Sequence, residues 1–490
     1  MSIKRILIFV GLLTIMSSCS LFKKKGGGSG ERSATTGWEY NNPDNGGFEY
    51  KSGYEQAAGP GLVYVQGGTF TMGRVEQDVM FNWNNTPRRV TVASFYMDET
   101  EVRNVDWREY LHWIERVYPD DKKEFQKALP DTLVWREELS YNEPYLENYL
   151  RHPAFSDYPV VGVSWVQASN YCKWRTDRVN EQILIDNGIL TLDAAQQGQE
   201  VFTTESYYAG LYKGVDGKSP IEDLSKESGN RRVKQSDGIL LPRYRLPTEA
   251  EWEFAALGLQ GNTKGELLTE RRIYPWNGHH LRYGNDDKKN RGKIRANFTR
   301  SRGDLMGLAG HLNDGFDITG PVTQVGSNDL GLYGMAGNVN EWVYDVYRPL
   351  SSMDVSEFQP IRGNVYTQYR KDADGNLQRD EHGRLVKDTV ANYVNFNDGD
   401  YQSRIILGDD WTTTDNKKKG SNSMYPGDPA GNVKPRIDDH VRVYKGGSWK
   451  DRPYWLSPGS RRYTNENSST DDIGFRCAMT HLGDPDNIDN

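Results

Sequence analysis

Apolar and polar positions change their period several times along the chain. A continuous apolar run from Ile6 to Ile15 follows Lys4 and Arg5. Residues 20–58 then show no apolar period and are rich in Gly, Ser, Asn and charge, which predicts a flexible tether. Order is expected from Gly61-Leu62-Val63-Tyr64-Val65, a strand-like run, and a turn at Gly67-Gly68 leads into the alternating Thr69–Gly73. Trp107, Tyr110, Leu111, Ile114 and Val117 recur at helical spacing behind Asn104, the expected cap. Ser164 with Gln167, and Thr248 with Glu251, are capping-box pairs that open two further helices. One side of the first carries Ala168, Tyr171, Cys172 and Arg175, and the second buries Trp252, Ala255 and Ala256. Each cap stabilises its helix by about 1 kcal/mol. Short strands and glycine-rich loops fill the rest.

Two stretches break this pattern. Residues 176–240 are polar without period, and residues 347–440 are dense in Asp, Asn, Gly and Tyr; neither repeats internally. Both read as insertions, and loops this long in a compact domain usually bind something or move, so they are the leading candidates for partner contacts.

Charge narrows the classes. A nucleic-acid protein needs a basic face, and the net charge of −8 argues against that class. Abundant Gly (50), Tyr (29) and Trp (13) suit a loop-rich fold pinned by aromatic anchors. The run Ile6–Ile15 is too short for a permanent membrane span and reads as the core of a targeting signal. Met16-Ser17-Ser18 sets small residues before Cys19, similar to a bacterial lipoprotein cleavage site, so residues 1–18 are expected to be removed and Cys19 acylated. Several acyl chains suffice for stable anchoring. Ser20 is not an inner-membrane retention residue, and Lys23-Lys24-Lys25 is basic where surface-exported lipoproteins are acidic. The expected address is the periplasmic face of the outer membrane. The remaining cysteines, Cys172 and Cys477, read as a disulfide in that oxidising compartment.

Three motifs carry less than they suggest. Gly217-Lys218-Ser219 lacks the first glycine of a phosphate loop, which is Tyr212. Asp372, Asp374 and Asn376 have calcium-loop spacing, but Leu377 and Gly383 replace the turn glycine and the bidentate acid, so a hairpin turn is expected. Lys417-Lys418-Lys419 reads as an exposed loop tip.

A set of ordered blocks carries a family resemblance. They are Gly67–Gly73, Phe95–Val102, Pro159–Trp165, Tyr244–Glu253, Tyr274–Trp276, Gly331–Trp342, Gly446-Gly447-Ser448-Trp449 and Gly474-Phe475-Arg476. In this order the chain resembles the formylglycine-generating-enzyme (sulfatase-modifying factor) family. The resemblance implies an α+β fold of the C-type-lectin-like kind with little regular secondary structure. It spans residues 59–482 with the two insertions, followed by a 483–490 tail. It also places Cys172 and Cys477 at a structural disulfide.

The resemblance implies chemistry that the chain lacks. Family oxidases bind copper through a closely spaced cysteine pair just beyond Gly-Gly-Ser-Trp. Those positions fall at Asp451 and Leu456, and neither supplies the thiolate that Cu(I) selects. A related branch holds iron through histidines. The one close pair here, His279-His280, reads as a surface turn. The resemblance further implies a calcium site at Asn297, the Phe298 carbonyl, Asp314 and the Phe316 carbonyl. A second would use Glu341 with the Gly337 and Val339 carbonyls. Gly334 stands where that second site takes an acid or amide ligand, and Glu341 reads equally as a buried hydrogen-bonded carboxylate. Calcium is thus the only cofactor expected, and none is required.

Anchor, tether, cysteine-free relic site and insertions together resemble the ring-forming outer-membrane lipoproteins of the Bacteroidota type IX secretion and gliding machinery. That resemblance implies a non-catalytic subunit that self-assembles into a ring with a periplasmic partner, the N protein. The alternatives are an anchored oxidase with an atypical metal site and a lectin-like binding lipoprotein.

Overall fold

The computed structural model describes residues 31–74, 84–215, 217–218, 220–225, 229–258, 263–264, 267–268, 272–284, 287–300, 314–348, 363, 365–390 and 439–483. The signal-like run, Cys19, Lys23–Lys25, Ser219, Lys417–Lys419 and the 484–490 tail lie outside them, as does most of the second insertion. Two compact units are present. The smaller joins residues up to Gly53 with Ile221–Arg231; the larger holds Tyr54–Pro220 and Arg232 onward.

In the larger unit, strands β1 (Leu62–Val65), β2 (Gly68–Met72), β3 (Arg88–Val92) and β4 (Phe95–Asp98) come first. β1 and β2 flank Gly67-Gly68 but do not pair with each other: β1 pairs with β4, and β2 with β3. Gly67 is required there, because a Cβ would lie 2.4–2.5 Å from the Val92–Ser94 backbone.

Helices α1 (Asn104–Val117), α2 (Lys122–Ala128) and α3 (Glu143–Asn148) follow, then α4 (Trp165–Asp186). α1 buries the five residues its spacing marks. Its cap is Arg103 rather than Asn104; the Arg103 amide donates to Asp106 Oδ2 at 3.0 Å. Asn104 is instead fully buried and ties the Tyr149 and Phe155 carbonyls to the helix start. α4 begins at the expected Ser164–Gln167 box and runs to Asp186, so residues 176–186 are helical. α5 (Thr204–Tyr208) lies within the first insertion, and α6 (Glu249–Leu257) starts at the Thr248–Glu251 box and ends at left-handed Gly258.

Strands β5 (Ile221–Glu222) and β6 (Asn230–Arg231) belong to the smaller unit. β7 (Tyr244–Arg245), β8 (Thr263–Lys264), β9 (Leu267–Leu268) and β10 (Asn340–Val346) return to the larger one. The last elements are β11 (Thr367–Tyr369), β12 (Lys387–Thr389), β13 (Val441–Lys445), β14 (Arg462–Asn465), β15 (Ile473–Gly474) and β16 (Ala478–Thr480). One four-stranded sheet runs β1-β4-β16-β7, all antiparallel. The other runs β14-β13-β10-β15, with β10 and β15 parallel. Few helices and many short strands match the expected fold class.

Two large clusters dominate the core, with smaller ones around Leu456 and Trp449. In one, Trp107 stacks on Tyr171 (centroids 5.3 Å, 11° between planes) and both meet Phe475 edge-on, beside Trp342, Cys172 and Cys477. In the other, Trp252 packs with Phe95, Met97, Val343 and Val443. Each such side chain contributes roughly 1.5–3 kcal/mol on burial.

The smaller unit occupies part of the stretch expected as tether. Asn42 caps a 3-10 turn at Pro43–Asn45, and Tyr40 packs on Phe48 and Tyr50. Glu49 pairs with Arg231 of β6. This partner is 182 positions away, which is why a local pattern read only polarity here.

Candidate functional site

β13 feeds the Gly446-Gly447-Ser448-Trp449 turn, where both glycines have positive φ. A Cβ at Gly447 would meet Leu456 and the Trp455 backbone at 2.9–3.0 Å, so the turn is pressed against the segment that follows. Within it Asp451 is a hub. Its carboxylate accepts from Arg462 at 2.7 and 2.5 Å, from the Ser448 amide and hydroxyl at 2.9 and 2.8 Å, and from Asn340 at 3.2 Å. Burial alone would raise this carboxyl, but Arg462, Ser448 and Asn340 outweigh it and hold the group below the usual carboxylate range. Its backbone carbonyl takes the Thr299 amide. Leu456 is 0 % exposed and packs among Tyr274, Trp276, Ile294, Ala296, Phe298 and Ala336. The two positions are thus filled by an ion pair and an apolar plug. They do not fit copper, for they offer one carboxylate already saturated with donors and one hydrocarbon.

Behind this turn lies a buried charge lattice that the linear motifs did not reveal. Arg476 grips Glu341 through Nε and Nη2 at 2.7 and 2.6 Å, and the Trp252 indole donates to the same carboxylate at 2.8 Å. Arg461 holds Glu249 at 2.8 Å, and Lys445 holds Glu253 at 2.7 Å. Glu253 also accepts the Gly73 amide at 2.6 Å, tying α6 to the end of β2. Burial opposes ionisation of Glu249, yet Arg461 and Lys445 bring it down to about 2. The available signal was the four-residue spacing of Glu249 and Glu253 on one helix, opposite two basic residues in the C-terminal blocks.

The calcium-type donors divide. The Asp314 carboxylate accepts backbone amides from Phe316, Phe298 and Gly315, so Asn297-Phe298 and Asp314–Phe316 meet at one loop crossing. Burial pushes Asp314 up to about 6, against the backbone amides and Arg300, which pull it down. This oxygen set fits a hard cation: Asn297, Asp314 and the Phe298 and Phe316 carbonyls would hold it. The second set does not fit. Arg476 already neutralises Glu341 and, with Trp252, occupies both its oxygens. The space beside Gly334 is also taken, because a Cβ there would lie 2.5–2.7 Å from the Glu101 carboxylate. Glu101 is pushed up to about 8 by burial, against the pull of Arg476 and with Glu341 adding to the rise. Asn338 donates to its Oε1 at 3.1 Å.

Cys172 and Cys477 are buried thiols with their sulfurs 3.1 Å apart. His279 and His280 are exposed. Asp372 closes a turn to Asn376 between bridged Lys371 and Leu377, the expected hairpin. Among the described residues no helix is long and apolar enough to cross a membrane.

The two insertions meet. The β11–β12 hairpin and its connecting turns dock on the α5 segment: Arg379 donates to the Leu211 and Gln199 carbonyls, Gln199 to the Asp380 carbonyl, and Ser206 to the Gly383 carbonyl at 2.7 Å. Lys387 pairs with Glu205 at 2.5 Å. A lone two-stranded hairpin is marginal in water, so this docking supports it. Val365, Tyr366, Tyr369 and Tyr208 stay exposed on the resulting platform.

Residues 49–481 match the sulfatase-modifying factor enzyme 1-like domain, and the chain belongs to that family. It is 26% identical over 313 residues to an inactive C-alpha-formylglycine-generating enzyme 2 of Mus musculus, covering 60% of this chain and 71% of that one. It is 24% identical over 303 residues to the formylglycine-generating enzyme of the same organism, spanning 58% of each chain. A solved structure of PvdO from Pseudomonas aeruginosa superposes with a TM-score of 0.39 at 16% identity, covering 85% of this chain and 93% of that one. The family thus includes both active and inactive members, and the fold is its C-type-lectin-like α+β type.

Proposed function

We propose that this chain is a non-catalytic, lipid-anchored subunit of the outer-membrane ring of the type IX secretion and gliding machinery, the K lipoprotein (PorK/GldK). It would sit on the periplasmic face, self-associate and bind the periplasmic N protein. The observation that carries the non-catalytic reading is the sealed pair of positions: Asp451 saturated by Arg462, Ser448 and Asn340, and Leu456 plugged into its own core. The inactive relative supports it. The docked insertions, with exposed aromatic side chains, supply a surface fit for protein contacts. The lipobox around Cys19 supports the anchor. Calcium at Asn297 and Asp314 would stiffen a loop crossing beside the sealed turn and take no part in chemistry.

The test is isolation of the native protein from membranes in mild detergent. A large assembly with one stoichiometric periplasmic partner is expected, together with label in Cys19 from radioactive palmitate. A monomer without partner would overturn the reading.

A further inference from the structure

The platform is fastened to the body of the domain at one more point, where the chain gathers three metal-ligating side chains. Asp121 lies between α1 and α2, and Glu381 and His382 lie in the turn preceding β12. Their ligand atoms all lie within 4.8 Å of one another. His382 Nε2 is 3.1 Å from Asp121 Oδ2 and 3.7 Å from Glu381 Oε1. A tetrahedral ion with bonds of about 2.0–2.1 Å to nitrogen and oxygen sets its ligands roughly 3.4 Å apart. The two measured edges bracket that value.

The donors are also held in place. The His382 ring is buried and packs edge-to-face on Tyr118 at 4.4 Å, which fixes its plane. Asp121 Oδ1 takes the Lys123 and Glu124 amides, leaving Oδ2 turned toward the imidazole. Asp380 accepts the His382 and Arg384 amides and sets the turn. Arg384 pairs with both Asp380 and Glu124, so those charges are spent locally. What remains facing the histidine is Asp121 and the 83 % exposed side chain of Glu381, two negative charges open to solvent on one side.

We propose that Asp121, Glu381 and His382 bind one divalent transition-metal ion of the zinc class, with water completing the coordination. The imidazole nitrogen suits a zinc-class ion better than calcium or magnesium, which prefer oxygen ligands throughout. The ion would clamp the second insertion to the α1–α2 corner and so hold the platform rigid. The site is remote in sequence from both the sealed turn and the calcium-type donors, and the proposal does not depend on the secretion reading.

The test uses the full chain in detergent, stripped with a chelator and titrated calorimetrically with Zn²⁺, and with Co²⁺ for its visible spectrum. One saturable equivalent is expected. Glu381→Gln, at a position 83 % exposed and outside the core, should weaken binding at least about tenfold, and His382→Gln should abolish it. Hydrogen exchange across Thr367–Thr389 should slow when metal binds in the native chain and not in His382→Gln. Absence of saturable binding, or equal affinity in the native chain and Glu381→Gln, would overturn the proposal.

Discussion

Replacing Asp451 by Ala tests whether this carboxylate, the hub of the turn after Gly446-Gly447-Ser448-Trp449, is structural. The substitution strands Arg462 and removes the acceptor of the buried Ser448 amide. Breaking a buried pair from one side costs about 3–5 kcal/mol. With 19% and 12% side-chain exposure for Arg462 and Asp451, the low end applies. The orphaned amide adds about 1 kcal/mol, for a loss of about 4 kcal/mol. Unfolding entropy of about 2.1 cal/mol/K per residue over the roughly 430 residues of the family span gives about 0.9 kcal/mol/K. The midpoint should therefore fall by about 4 °C at pH 7, read by near-ultraviolet circular dichroism. The pH dependence supplies a control. The Asp451 carboxyl lies below its ordinary value, so its contribution is fully present above the unfolded value of about 3.8 and is lost as pH falls through the folded one. The gap between native and variant should close in strong acid. An unchanged or higher midpoint for Asp451→Ala at pH 7 would refute the reasoning.

Gly334→Asn restores the family's ligand type, yet Glu101 occupies the space and the backbone has φ +67. It should destabilise by roughly 1–3 kcal/mol without creating calcium affinity, measured by denaturant melts with and without Ca²⁺. Glu249, lowered to about 2, gives stability that is fully present above the unfolded value of about 4.5 and disappears as pH falls toward 2. Glu249→Gln should be destabilised at neutral pH and lose less than the native chain across that acid window, a comparison that acid titration of the midpoint makes directly. Peptide mapping of chain isolated from an oxidising compartment should find Cys172 linked to Cys477; two separately alkylated peptides would contradict the pairing.

Helix starts were legible because a capping box is local: Ser164 and Thr248 announce themselves within four residues. The ordered blocks were legible because glycines, prolines and tryptophans mark positions where geometry admits few alternatives. Asn104 misled because a polar residue before an apolar stripe reads as a cap, whereas tertiary partners at Tyr149 and Phe155 pulled it inside. The substitutions at 451 and 456 could be read as losses, but not what filled them, since Arg462 and the Tyr274–Phe298 cluster reach those positions only through the fold. The charge lattice was hidden for the same reason. Arg461 and Glu249 stand 212 positions apart, and no window of sequence contains both.

The docked insertions bear on the order in which the molecule can assemble. Ser206 meets Gly383 across 177 residues, and the chain between them supplies α6 and β10. Closing so long a loop before its interior has condensed costs entropy that no single contact returns. The platform should therefore form late, together with the β4–β16 pairing and the Glu249–Arg461 contact, whose partners stand still further apart. A chain still folding would not yet carry the surface on which Val365, Tyr366, Tyr369 and Tyr208 are exposed, so that surface is a mark of the completed body.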